Sequence, residues 1–313
     1  MKILVIGAGG LLGSALVEQG RSRGVIGATK NDGDIRDAAA VRALFLRTRP
    51  DCTILAAAYA DVDGCERQPH LAIEVNFKGA AHVARAALES GSRLLYVSTD
   101  YVFDGAKNSP YEISDPPNPL SAYGRSKAAG EAAVLEILPQ ACIVRTARLF
   151  GTTGHCFPAA ILELAATRAE ISVVDDQIGS PTFHCDLAGA LLHCAETRTA
   201  GVIHATNAGA CSWFDFAKEI LRASGMNKVS VRAISSGQSG RLAPRPKYSV
   251  LSNTSLRACG ISLRSWQEAL AAYLEERQAA QQPGQQHTQQ HPQQPGAPDA
   301  VHPIAAGTAG RPR

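Results

Sequence analysis

A doubly wound α/β fold, in which a parallel sheet is followed by a smaller C-terminal α/β region, is what this sequence of 313 residues predicts. Three observations predict it. Short continuous apolar runs alternate with segments of helical periodicity, the pattern of parallel strands covered on both faces. The first run, Ile3-Leu4-Val5-Ile6, passes at once into Gly7-Ala8-Gly9-Gly10-Leu11-Leu12-Gly13. Tyr123 and Lys127 stand four residues apart in a predicted helix, downstream of Ser98-Thr99-Asp100 at the end of a predicted strand.

Ile3 to Ile6 reads as the first strand and Leu11 to Arg21 as the helix after it. Strands follow near Val25 to Ala28, Thr53 to Ala57, Arg93 to Val97 and Cys142 to Arg145. The helices between them run near Asp37 to Thr48, Pro69 to Ser90 and Ser121 to Ile137. Beyond about residue 150 the alternation is less regular, with helices near Phe157 to Arg168, His184 to Thr197, Trp213 to Ser224 and Ser265 to Arg277 between short strands. Residues 1–150 are therefore expected to form a Rossmann-like dinucleotide-binding domain and 151–278 a region that shapes the substrate pocket. From 279 to 313 the chain turns to Gln, Pro, Gly, His and Ala, a composition expected to be disordered. Its His287, His291 and His302 have nothing to fix a ligand geometry.

Charge and cysteine usage narrow the class of function. The 31 basic and 28 acidic residues leave a net charge of +3 without a like-charge run of the kind that marks a nucleic-acid arm or a membrane anchor. Neither nucleic acid nor membrane is an expected partner. The eight cysteines, Cys52, Cys65, Cys142, Cys156, Cys185, Cys194, Cys211 and Cys259, form no C-x-x-C pair and read as reduced structural thiols. No apolar stretch approaches the ~18 residues of a membrane span, and the opening strand runs into glycines rather than a signal-peptide core. A soluble, unprocessed, cytoplasmic protein is expected, as a monomer or homodimer.

The glycine segment lies between a strand and a helix, where a dinucleotide fingerprint belongs. Its spacing is G-x-x-G-x-x-G, with Leu11 and Leu12 between the last two glycines. Gly7 would permit the tight turn, Gly10 the approach of backbone to pyrophosphate, and Gly13 close packing of helix on strand, with the helix N-terminus attracting phosphate. An acid ending the second strand would hold a ribose 2′-hydroxyl, but that strand ends Ala28-Thr29-Lys30-Asn31. Thr29 and Lys30 suit a 2′-phosphate, which favours NADPH; Asp32 leaves NADH open. Asp34 and Ile35 are expected against the adenine, and the small Ala56-Ala57-Ala58 where the cofactor passes close to the backbone.

Positions i and i+4 share one helix face, so the phenol of Tyr123 and the ammonium of Lys127 can reach one site. A neighbouring cation favours phenolate and would let Tyr123 exchange a proton at lower pH. Together with the glycine turn, the pair points to hydride transfer at a carbonyl.

With these residues assembled, residues 1–277 resemble the extended short-chain dehydrogenase/reductases, and among them the dTDP-4-dehydrorhamnose reductases. The resemblance rests also on Ala56-Ala57-Ala58-Tyr59 with Val62, Asp63 and Glu66, on Ser98 to Gly105, on Asp176 to Thr182, and on Arg245-Pro246 with Ser249 and Leu251. It implies that Thr99, Tyr123 and Lys127 form the catalytic trio: Tyr123 protonates the oxygen of a nucleotide-linked (dTDP-linked) 4-keto-6-deoxy sugar, Thr99 hydrogen-bonds it, and Lys127 holds the nicotinamide ribose. It further implies a sugar-nucleotide pocket involving Val62, Thr99, Asp100, Arg148 and Gly179, with Arg245 pairing with the diphosphate.

Two positions depart from the family pattern. Ala60 stands where relatives usually carry Thr, and Arg148 where rhamnose-forming relatives carry Trp. The product therefore stays open between dTDP-L-rhamnose and another 6-deoxy sugar, such as a dihydrostreptose-type precursor of a secondary metabolite. Some relatives bind Mg²⁺ through acidic residues at a dimer interface, but no complete ligand set is evident near Trp266-Gln267-Glu268, and no essential metal is expected. A 4,6-dehydratase would carry an acid where this chain has Tyr101; a 4-epimerase and a noncatalytic NADP-binding subunit remain as alternatives.

Overall fold

The computed structural model describes residues 1–281. Its first half follows the expected alternation closely: β1 (Ile3–Ile6), α1 (Leu11–Gln19), β2 (Val25–Ala28), α2 (Ala38–Thr48), β3 (Cys52–Leu55), α3 (Val62–Arg67), α4 (Pro69–Ala72), α5 (Ala80–Ser90), β4 (Arg93–Thr99), α6 (Ala122–Ile137) and β5 (Cys142–Thr146). The second half adds β6 (Leu149–Phe150), α7 (Phe157–Ala165), β7 (Glu170–Val174), β8 (Ile178–Gly179), β9 (Thr182–Phe183) and α8 (His184–Glu196). It ends with β10 (Gly201–His204), β11 (Cys211–Ser212), α9 (Trp213–Ala223), β12 (Ser230–Ile234), α10 (Thr254–Ala258) and α11 (Trp266–Gln281).

Six strands form one parallel sheet in the order β10-β5-β4-β3-β1-β2. The apolar runs are continuous because both faces are covered. Ile3, Val5, Ile54, Leu95 and Val144 point toward Leu12 and Leu16 of α1 and Leu187 and Leu191 of α8. Leu4, Ile6, Leu55, Leu94 and Ile143 point the other way, onto Val41, Leu44 and Phe45 of α2 and Val83 and Ala84 of α5. Burial of each such Leu, Ile or Val side chain is worth roughly 1.5–3 kcal/mol. From β1 the chain runs to β2 on one side and then to β3 on the other, and this reversal opens a crevice beyond the strands' carboxyl ends.

Three features depart from the sequence reading. Strand β10 and helix α8, from the region beyond residue 150, complete the large sheet, so a boundary at 150 divides the sequence rather than the sheet. The expected helix Pro69 to Ser90 contains a π-helical stretch, Ile73–Gly79. Such a turn is wider than α and commonly sits at functional sites. Helix α11 continues through Gln281, past the expected start of the tail at 279; the rest of that tail lies outside the described residues. A second core, built on Phe150, Phe183, Phe216, Trp266 and Tyr273, holds the C-terminal region together. Among the described residues no helix is long and apolar enough to cross a membrane.

Candidate active site

A cavity of about 540 Å³ opens at the carboxyl ends of β1, β2 and β3, lined by Gly7, Gly9, Gly10, Thr29, Lys30, Asp34, Ile35, Arg36 and Ala56 to Tyr59 among others. The glycine turn makes the space. Gly7 has φ +96°, and a Cβ there would come within 2.6 Å of the Ala57 nitrogen. A Cβ on Gly13 would fall 2.0 Å from the Gly7 carbonyl oxygen, so only glycine lets α1 start this close to the turn. Gly9 faces open space, with nothing nearer than 3.9 Å to a Cβ. No side chain caps α1, and its N-terminal N–H groups and partial positive charge stand at the turn. This glycine-lined cradle fits a dinucleotide pyrophosphate.

At the far side of β2 the charges differ from the simple expectation. Asp32 accepts hydrogen bonds from the Thr29 backbone N–H and hydroxyl, each at 2.8 Å, so the Thr29 hydroxyl is engaged rather than free. Asp34, expected against adenine, lines the cavity while holding Arg36 at 2.6 Å and lying 3.8 Å from Lys30. Ile35 is buried in the wall. Lys30 and Arg36 stand here against Asp34 and Asp32, so these four charges balance. Arg36 was not singled out from sequence, because its place depends on how the loop after β2 folds.

Thr99, Tyr123 and Lys127 come together at the end of β4. The strand runs two residues farther than expected, to pair Thr99 with Thr146 of β5. Ser121 accepts from the Gly124 N–H and Glu66 from the Ala122 N–H, which fixes the first turn of α6 and hence Tyr123. Tyr123 packs with Tyr59, a wall residue of the cavity, around Cys65, Ala72 and Ala122. Lys127 is fully buried, donating to the Val97 carbonyl oxygen at 2.7 Å above the Tyr96 ring. The π-helical turn carries Asn76, whose carbonyl oxygen accepts from the Tyr96 hydroxyl and whose side chain bonds Tyr59 and Ser126. A Cβ on Gly130 would sit 2.3 Å from that carbonyl, so the glycine admits the π turn to α6.

The electrostatics correct one expectation. Burial pushes the Tyr123 phenol up, with a side-chain hydrogen bond from Thr99 opposing, so the phenol keeps its proton at neutral pH. Burial lowers Lys127 to about 7, against the pull of Glu131. In the expected reading the ammonium depressed the phenol; here it is turned toward Val97 and Tyr96.

The remaining predicted residues, Val62, Asp100, Arg148, Gly179 and Arg245, do not line that cavity and are fixed by contacts of their own. Asp100 is buried and raised to about 6 by that burial, although it accepts from Ser249 at 2.5 Å and from Thr99 at 3.1 Å. Arg148 has φ +45° and donates to the carbonyl oxygens of Cys211 and Gln177, while its guanidinium stacks 4.2 Å from the Trp213 ring centre. A Cβ on Gly179 would meet Arg148 Nε at 2.6 Å. Val62 begins α3. The next residue, Asp63, binds Arg245 through both carboxylate oxygens at 3.2 and 3.0 Å. Arg245, expected free for a diphosphate, is thus held by a buried carboxylate. Its partner Asp63, Trp213 under Arg148 and Asn76 had no assigned role in the sequence, since each acts across a distance in sequence that no spacing reveals.

Comparison with known proteins agrees with this geometry. The family described as the RmlD substrate binding domain matches residues 1–279. A dTDP-4-dehydrorhamnose reductase of Mycobacterium tuberculosis is 44% identical over 282 residues, 87% of this chain and 92% of the relative. A crystal structure of a dTDP-4-dehydrorhamnose reductase from Clostridium acetobutylicum superposes with a TM-score of 0.86 at 40% identity, covering 89% of this chain and all of that one. The Bacillus anthracis dTDP-4-dehydrorhamnose reductase, solved in complex with NADP, gives 0.85 at 39% identity, covering 88% of this chain and 100% of its own. The chain belongs to the RmlD substrate binding domain family.

Proposed function

We propose that the protein reduces the 4-keto group of a dTDP-linked 4-keto-6-deoxy sugar with NADPH. The observation that carries this reading is the meeting of Thr99, Tyr123 and Lys127 beside the glycine-lined cavity. The relatives named above supply the substrate class.

When bound, the reduced nicotinamide supplies hydride to C4 of the sugar. The chain supplies the proton and the geometry. Tyr123, held protonated by burial, donates its proton to the ketone oxygen as the C4–H bond forms, so the oxygen stays on C4 as a neutral hydroxyl. Thr99 accepts the Tyr101 N–H, and its own proton can turn from Asp100 to the same oxygen. Solvent then returns the proton to the phenolate, while Lys127, one helical turn away, stays turned toward the Val97 carbonyl oxygen and the Tyr96 ring. Gly10 and the start of α1 would hold the pyrophosphate, and Lys30 with Arg36 would hold the 2′-phosphate.

The test is to mix the protein with NADPH and a dTDP-4-keto-6-deoxy sugar and follow absorbance near ~340 nm. Loss of absorbance that falls roughly 10²–10⁴-fold in Tyr123→Phe supports the assignment. A protein that binds NADPH yet leaves it reduced with every such sugar would be a noncatalytic subunit.

A further inference from the structure

A second phenol stands beside Tyr123 at the end of β4. The ring of Tyr101 meets that of Tyr123 edge to face, with centres 5.7 Å apart and planes at 68°. Its backbone N–H donates to the Thr99 hydroxyl oxygen at 3.2 Å, so the turn that carries Thr99 also places this ring. We propose that Tyr101 recognises the C3 hydroxyl of the sugar, the oxygen next to the reacting carbon, by donating its phenolic proton to it. This assignment rests on the reduction at C4 argued above.

The direction of the bond follows from the groups around the Tyr101 hydroxyl. On one side lies the Arg245 guanidinium, which has donors only, so the phenol oxygen accepts there and its hydrogen is left for another acceptor. Arg245 is held in place by both Asp63 carboxylate oxygens and by the Ala243 carbonyl oxygen. Among the described residues no group accepts from the Tyr101 hydroxyl, and the side chain is only half-buried, so a ligand can reach it. Burial raises this phenol to about 12, with the Asp100 charge adding to the rise and Arg245 opposing it, so the group is a neutral donor at physiological pH.

The choice of C3 follows from the chemistry of the sugar. In a 4-keto-6-deoxy hexose the reacting C4 has a neighbour on each side in the ring: C5, which carries the methyl group, and C3, which carries a hydroxyl. A donor one ring away from the Tyr123 phenol meets one or the other, and only the hydroxyl accepts a hydrogen bond. Tyr101 stands between Tyr123 and Arg245, so it faces the sugar between the ketone and the nucleotide end. A Cβ on Gly124 would fall 2.1 Å from the Tyr101 carbonyl oxygen, so this glycine lets α6 press on the turn and fixes the two phenols relative to each other. A site that donates to a substrate hydroxyl discriminates against the analogue lacking it, because the donor is then left unpaired.

The experiment uses the full chain as wild type, Tyr101→Phe and Tyr123→Phe, each with a dTDP-4-keto-6-deoxy hexose and with its 3-deoxy counterpart. The wild type should favour the 3-hydroxy sugar in kcat/KM by roughly tenfold, and Tyr101→Phe should erase that preference, losing about tenfold on the 3-hydroxy sugar and less than about twofold on the 3-deoxy sugar. Calorimetric binding of the two 4-hydroxy products to protein loaded with NADP⁺ should show the same pattern. There Tyr123→Phe, which loses turnover, should keep the discrimination that Tyr101→Phe loses. Equal losses on both sugars would make Tyr101 a packing partner of Tyr123 only, and a preference that survives Tyr101→Phe would place the C3 contact elsewhere; either result overturns the assignment. A wild type that reduces both sugars equally well overturns the role of Tyr101 alone, whereas one that reduces neither overturns the reduction at C4 and this assignment with it.

Discussion

The ammonium of Lys127 sits 4.0 Å from the centre of the Tyr96 ring, one residue before the Val97 carbonyl oxygen that it bonds. The ring face and one carbonyl are all that replace its water, which is why burial brings it to about 7 from the usual 10.5. Between those values the unfolded chain holds a proton that the native lysine has released, so this group makes stability rise with pH across that window. Urea unfolding at pH 7.0 and 9.5 should show a larger gain with pH in the wild type than in Lys127→Met; equal gains would mean that the native ammonium is not depressed.

Cofactor choice should follow the charge at the end of β2. Lys30 and Arg36 flank Asp34 while Asp32 is engaged by Thr29, and the exposed Lys30 gives a 2′-phosphate one charge pair. Such a pair is worth up to about 1 kcal/mol, or roughly fivefold at most. Lys30→Ala should weaken NADPH binding by about that factor and leave NADH nearly unchanged. Fluorescence titration with each cofactor checks it. An equal loss for both would mean that Lys30 meets the common part of the dinucleotide.

The sheet was legible because burial on both faces leaves an unbroken mark: Ile3 to Ile6 and Cys142 to Thr146 are apolar or buried throughout. The glycine turn was legible for a similar reason, since Gly7 and Gly13 answer to backbone contacts that no other residue tolerates. What spacing could not give was the partner of each charge. Arg245 is the same residue whether it faces solvent, a diphosphate or Asp63, and only the approach of α3 to the 241–245 segment decides between them. The π turn at Asn76 was equally hidden, because its residues have ordinary helical periodicity and the carbonyl it turns out bonds Tyr96, twenty residues away in sequence.

Glu131 and Arg145 form a pair at 2.7 Å with side chains only 5% and 4% exposed. Removing one member leaves the other charged in the core. Arg145→Met should destabilise the protein by about 3–5 kcal/mol, whereas a double change of both residues to apolar ones of similar volume should restore much of the loss. Chemical denaturation of the single and double variants measures it. A single variant within ~1 kcal/mol of wild type would show that water reaches Glu131.

Asp63 ties the segment beyond β12 to the start of α3. Its carboxylate accepts from Arg241, from the Ala243 N–H and twice from Arg245. Burial opposes the charge, but these donors, Arg245 first among them, hold the carboxyl well below the usual carboxylate range. A depressed carboxyl stabilises the fold above its ordinary pKa and loses that contribution only as pH falls through the native one, so this tie persists at mildly acidic pH. The same segment continues through Pro246, against which a Cβ on Gly105 would clash at 2.6 Å, to Ser249 on Asp100. One stretch of chain thus joins the proposed sugar-nucleotide wall to the end of β4 that carries Thr99 and Asp100. Asp63→Asn keeps the shape but removes the charge that orients both arginines, and should raise the KM for the nucleotide sugar roughly tenfold while kcat stays within about twofold. Steady-state kinetics at saturating NADPH separates the two constants. A fall in kcat at unchanged KM would place the tie in the chemistry of Tyr123 rather than in the wall that receives the nucleotide.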